Sequence, residues 1–110
     1  INADKTQMNR LFTNLFANAV EACEGRLCRI EVSEQMMEGR IRISIRDNGE
    51  GIPEETQSRI FMPNFTTKSS GTGLGLAMCK GIVEQVKGKI WFETKKGNGT
   101  TFHVELPLVD

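Results

Sequence analysis

Two glycine clusters hold the residues best placed to do chemistry in this chain. Asp47-Asn48-Gly49-Glu50-Gly51-Ile52-Pro53 and Gly71-Thr72-Gly73-Leu74-Gly75-Leu76 flank residues 60–68, whose only cation is Lys68. Glycine takes positive φ and lets backbone approach a ligand closely, and consecutive amides that open a helix form a site for anionic oxygens. The arrangement fits a nucleotide held between two loops. It does not use the familiar phosphate loops. No GxxxxGK[ST] run is present, and Gly71-Thr72-Gly73-Leu74-Gly75 fails the GxGxxG spacing of dinucleotide sites.

Elements on either side must position these loops. Over residues 4–23, Met8, Leu11, Phe12, Leu15, Phe16, Ala19, Val20 and Cys23 recur at spacings of three and four, which predicts an amphipathic helix. Gln7, Arg10, Asn14, Asn18 and Glu21 gather on a second, polar stripe, with Asn18 at the border of the two. Gly25 is the expected stop. Residues 28–32 and 40–47 alternate as two half-buried strands, with Ile30 and Val32, then Ile41, Ile43 and Ile45, on one side, and Glu38-Gly39 as the turn between them. Asp47 falls where the second strand ends. A short helix is expected after the first cluster. A longer helix then starts within the second cluster and carries Leu74, Ala77, Met78, Gly81, Ile82, Gln85 and Val86 as far as Gly88. Strands at 89–94 and 101–106 close the chain around residues 95–99. Helices on one face of a mixed, mostly antiparallel sheet make a two-layer α+β sandwich.

Composition narrows the partners. At 110 residues the chain is one domain, and 14 basic side chains balance 14 acidic ones. There is no electrostatic case for nucleic acid or for direct contact with an anionic membrane. Three cysteines, Cys23, Cys28 and Cys79, without a CxxC pair argue against a disulfide framework or a zinc site and read as small buried hydrophobes. No run of apolar residues is long enough to cross a bilayer, so a cytoplasmic location is expected, with any membrane anchor elsewhere in the parent protein.

In order along nearly the whole chain, four blocks resemble the ATP-binding domain of sensor histidine kinases, the superfamily with the Bergerat fold shared with type II DNA topoisomerases, a heat-shock chaperone and mismatch-repair ATPases. Asn14-Leu15-Phe16-Ala17-Asn18-Ala19 is similar to the family's asparagine box, and residues 47–51 to its first glycine box. Residues 61–65 resemble the phenylalanine box, and residues 71–76 the second glycine box. Gly97-Asn98-Gly99-Thr100-Thr101-Phe102 is similar to the closing turn. The lid, Thr66-Thr67-Lys68 followed closely by Gly71-Thr72-Gly73, resembles the short-lid, nitrogen-regulation type. Glu21, Met62 and Asn64 depart from the usual residues at their positions.

The resemblance implies a role for each block. Asn18 is the implied Mg²⁺ ligand, a neutral oxygen donor, and Asn14 supports it or contacts phosphate. Asp47 is the implied adenine reader, accepting from the exocyclic amine, with Thr100 as its helper. Gly49 and Gly51 pass beside the nucleotide, Gly71, Gly73 and Gly75 let the lid swing, and Thr72, Leu74 and Leu76 share that phosphate-binding segment. Lys68 pairs with terminal phosphate oxygens on closure. Phe61 and Phe65 are expected to pack rather than stack on a base, and His103 to be an ordinary strand residue.

Related ATPases carry a glutamate four residues before the metal-binding asparagine, where this chain has Asn14, and an amide is no general base. The implied activity is therefore transfer of the γ-phosphoryl group of Mg-ATP to a histidine on a separate dimerisation domain, with a response regulator downstream. The chain is then an N-terminally shortened ATP-binding fragment, residues 1–110, that lacks the phosphoacceptor domain. A related serine kinase or ATPase, or a non-catalytic nucleotide-binding or interaction module, is the alternative.

Overall fold

A computed structural model describes residues 5–23, 27–62, 75–95 and 97–108. Its elements are α1 (Lys5–Ala22), β1 (Ile30–Met37), β2 (Arg40–Asp47), a 3-10 helix (Glu54–Arg59), α2 (Gly75–Gln85), β3 (Lys89–Thr94) and β4 (Thr100–Pro107). The four strands form one sheet in the order β1-β2-β4-β3. Every pairing is antiparallel, so among the described residues the sheet is not mixed.

Strand alternation separates the two faces. Ile41 and Ile45 of β2 and Phe102, Val104 and Leu106 of β4 are buried beneath the helices, where they meet Leu11, Leu15 and Ala19 of α1 and Cys79, Ile82 and Val83 of α2. Phe61 follows the 3-10 helix into this layer, with its ring centroid 6.0 Å from Phe92 and 6.4 Å from Phe102. It packs as expected; Phe65 lies outside the described residues. The other face is polar. Arg40 and Arg42 pair with Glu105 at 3.3 and 3.1 Å, and Arg42 lies over the Trp91 ring. His103 bonds Ser44 and Glu93 and stacks on Trp91, as befits a strand residue with structural partners.

Several details go beyond or differ from the sequence reading. Cys28 is exposed, contrary to the sequence reading of three buried thiols, because it lies in the connection ahead of β1. β1 starts two residues later than expected and runs on to Met37. Val32 and Met36 pair with Ile45 and Ile41, hence share their face, yet are 51% and 66% exposed because the helices lie over the inner strands. Phe16 and Val20 are also exposed, since they occupy the flank of the α1 stripe opposite Asn14 and Asn18. At the end of α2 it is Lys87, at φ 64°, that takes the left-handed turn. Gly88 is needed for space: a Cβ there would press on the Glu105 carbonyl and the Leu106 side chain.

Candidate nucleotide site

The last turn of β2 delivers Asp47 into a buried position, 2% exposed, at the seam between the first glycine loop and the start of β4. Its Oδ1 accepts the Gly49 amide at 2.8 Å and the Thr100 amide at 3.2 Å. The first bond is an Asx turn, which explains the Asp-Asn-Gly order. The second locks the turn to a neighbouring strand. Oδ2 takes part in neither bond, so the carboxylate keeps an oriented acceptor.

Glycine here is a matter of space. A Cβ on Gly99, at φ 90°, would collide with the Asp47 carbonyl, and one on Gly49 would collide with the Ala22 carbonyl at the end of α1. The seam is closed by Glu50 N donating to Ala22 O at 3.2 Å and Gly97 N donating to Glu50 O at 2.7 Å. Gly51 takes φ 81°. Thr100 is buried, its hydroxyl 2.9 Å from that of Thr94. Thr94 Oγ1 also accepts the Ile52 amide at 2.9 Å and donates to Gly99 O at 3.2 Å. Thr94 was missed in the sequence. Its position directly opposite Thr100 across the β3–β4 hairpin is the signal that could have found it.

The second cluster of site residues stands on the helices. Asn14 and Asn18, one turn apart on α1, are both half-buried. Asn14 Nδ2 donates to Arg10 O at 2.8 Å, which turns Oδ1 towards α2: a Cβ on Gly75, the first residue of α2, would be 3.5 Å from that oxygen. Leu76 packs against the core. Packing of α1 on α2 through Leu11 and Cys79 fixes this approach; burial pushes the Cys79 thiol up to about 12, and it donates to Leu11 O. Lys68, Gly71, Thr72, Gly73 and Leu74 lie outside the described residues. Asp47, Gly49 and Thr100 are thus brought together at one end, and Asn14 and Gly75 at the other, with α1 as the rail between them.

Residues 3–110 match the family described as histidine kinase-, DNA gyrase B- and HSP90-like ATPase. The chain belongs to that ATPase family. Within it, the chain is similar to the sensor histidine kinase ZraS of Escherichia coli strain K12, at 40% identity over 98% of this chain and 23% of ZraS. It is 39% identical to sporulation kinase A of Bacillus subtilis strain 168, over 97% of this chain and 18% of the relative. The catalytic domain of histidine kinase ThkA, solved free of nucleotide, superposes with a TM-score of 0.84 at 42% identity, covering 96% of this chain and 68% of that one. The chain is therefore an ATP-binding catalytic domain of the histidine kinase kind, and it spans less than a quarter of the two curated relatives. Among the described residues no helix is long and apolar enough to cross a membrane.

Proposed function

We propose that this ATPase-family domain binds Mg-ATP with adenine against Asp47 and the phosphates towards Asn14, Asn18 and the start of α2, and passes the γ-phosphoryl group to a histidine on a separate domain of its parent protein. The observation that carries the reading is the convergence of the Gly49 and Thr100 amides on Asp47 Oδ1, which holds a buried acceptor in one orientation. A carboxylate so held accepts from the adenine exocyclic amine and not from guanine, whose equivalent position is a carbonyl. Thr100 and Thr94 offer hydroxyls beside it. The eight residue steps from Asn14 to Ala22 cover about 12 Å of helix, a span that a nucleoside triphosphate can bridge.

The donor set fits magnesium carried by the phosphates. Among the described residues no three His, Cys, Asp or Glu side chains gather to hold a metal. A cation that keeps its waters and phosphate oxygens needs few protein ligands, and the amide oxygen of Asn18, with Asn14 behind it, is suited to that part. When bound, Mg²⁺ supplies charge compensation across the phosphate chain. Lys68 adds a cation to the terminal phosphate. Gly71, Thr72, Gly73, Leu74, Gly75 and Leu76 bring backbone amides onto it, and Gly49 and Gly51 keep the loop clear of the nucleotide.

Asn14 favours transfer over hydrolysis. Its amide cannot take a proton from water, whereas neutral imidazole is nucleophilic already. The imidazole nitrogen bonds to the γ-phosphorus as the bond to the β-bridging oxygen breaks, and ADP leaves. His103, engaged with Ser44 and Glu93 on the polar face, is not the acceptor in this reading. The parent's own helical histidine domain is the first partner and a response regulator the next, in a cytoplasmic setting. Incubation with Mg-ATP and that histidine domain tests the reading: an acid-labile phosphoryl label on the partner supports it. Acid-stable label, or rapid phosphate release by the domain alone, points to a serine kinase or an ATPase.

A further inference from the structure

The column of α1 that carries Asn14 and Asn18 has a third member, and it is a cation. Arg10, Asn14 and Asn18 follow at intervals of four, so their side chains leave the helix on one side in steps of about 6 Å. α1 holds two basic residues, Lys5 and Arg10, and only Arg10 stands in that column. Both its backbone and its side chain are tied to the phosphate end. Arg10 O accepts Asn14 Nδ2 at 2.8 Å, the bond that turns Asn14 Oδ1 towards Gly75. Arg10 Nη2 donates to Met78 Sδ at 3.0 Å, which carries the guanidinium across from α1 to the first turn of α2. Met78 is half-buried and packed against the core, so this anchor is part of the α1–α2 contact.

The partner is a poor match for the group it holds. A guanidinium presents a fork of N–H donors and a full charge, whereas a thioether sulfur is a weak, neutral acceptor. Among the described residues no carboxylate pairs with Arg10. Other cations are differently placed. Arg40 and Arg42 on the polar sheet face both pair with Glu105, and Lys80, the basic residue of α2, lies over the Phe61 ring. Arg10 is exposed, so its remaining donors are open to an anion that arrives from solvent.

We propose that Arg10 is a further substrate-binding residue of this domain, whose guanidinium leaves Met78 and pairs with the γ-phosphate of ATP. The inference rests on the phosphate-end reading given above. Position selects the γ group over the others. Ala22, bonded to the loop that follows Asp47, marks the adenine end; Asn14 lies about 12 Å along the helix from it and Arg10 about 18 Å. The terminal phosphate, farthest from the base, is the one that falls to Arg10. The planar fork takes two of its non-bridging oxygens at once, and a weak sulfur contact is exchanged for a charged one. During transfer the acceptor imidazole nitrogen bonds to the γ-phosphorus, the bond to the β-bridging oxygen breaks, and its electron pair leaves with ADP. Arg10 gives up no proton; its charge offsets the charge spread over the γ-oxygens.

Calorimetric titration of wild type, R10Q and R10K with Mg-ATP and with Mg-ADP tests the assignment. The urea midpoint of R10Q should stay that of wild type, because the side chain is exposed and the carbonyl that Asn14 uses is kept. R10Q is expected to bind Mg-ATP about tenfold more weakly and Mg-ADP less than about twofold more weakly than wild type. R10K, which keeps the charge and loses the fork, should fall between the two on ATP. A purely structural role would not separate ATP from ADP. Equal losses on the two nucleotides, or undiminished ATP binding by R10Q, overturn the proposal. A wild type that binds neither nucleotide sinks the phosphate-end reading and this role with it, whereas normal wild-type binding beside an unaffected R10Q sinks the role of Arg10 alone.

Discussion

At one end of the proposed cleft, Asp47 is buried, bonded to the Gly49 and Thr100 amides, and walled by glycines that leave no room for a Cβ. At the other, Asn14 and Asn18 stand half-buried on a helix, and Asn14 Oδ1 faces the first turn of α2. The proposed adenine end is thus built from two backbone amides, one of the glycine loop and one of β4, converging on one side chain, so its geometry is inseparable from the fold. The phosphate end is built from side chains on α1 beside a helix start, so its chemistry can be altered with the fold intact. The difference matches the two tasks: a base must be recognised by fixed acceptors, whereas phosphates and their cation bring charge and water of their own.

If this contrast holds, substitutions at the adenine end cost stability first, and those at the phosphate end cost only ligand. The largest effect is expected for G99V, which combines a left-handed backbone with a collision at the Asp47 carbonyl; it should destabilise the domain by about 4 kcal/mol in urea denaturation. D47A leaves two amides without their acceptor and should cost about 2–3 kcal/mol of stability in the same assay. N18A should leave the urea midpoint nearly unchanged and weaken Mg-ATP binding about tenfold by calorimetry, with most of that loss disappearing when EDTA removes the metal. The smallest effect is expected for K68A, about threefold in ATP affinity, since a single ion pair formed in water contributes little. A D47A protein as stable as wild type, or an N18A protein that unfolds, would erase the distinction.

Much of this was legible because the local patterns and the tertiary packing agree. The alternation of Ile41, Ile43 and Ile45 gave β2 its face, and the order of asparagine and glycine boxes gave the site its two ends. What escaped depended on neighbours distant in sequence. Val32 obeys strand alternation, yet its exposure follows from where the helices lie, which no window around it records. Phe16 and Val20 are apolar at helical spacing and still exposed, because a stripe wider than its partner leaves one flank uncovered. Thr94 became part of the site only through its pairing with Thr100. Gly88 was correctly placed at the end of α2, where Lys87 makes the left-handed turn and Gly88 clears the Glu105 carbonyl.

The adenine role of Asp47 is tested most directly by calorimetric titration of wild type and D47N with Mg-ATP, alongside Mg-GTP. Asparagine preserves an oxygen for the Gly49 and Thr100 amides, so the fold and melting temperature should change little. It replaces Oδ2, which takes part in neither of those bonds, with an NH₂ group that would face the adenine amine in the proposed pose. The account predicts that wild type prefers ATP to GTP and that D47N loses ATP affinity by about 30-fold or more. Equal ATP binding by the two folded proteins would contradict it.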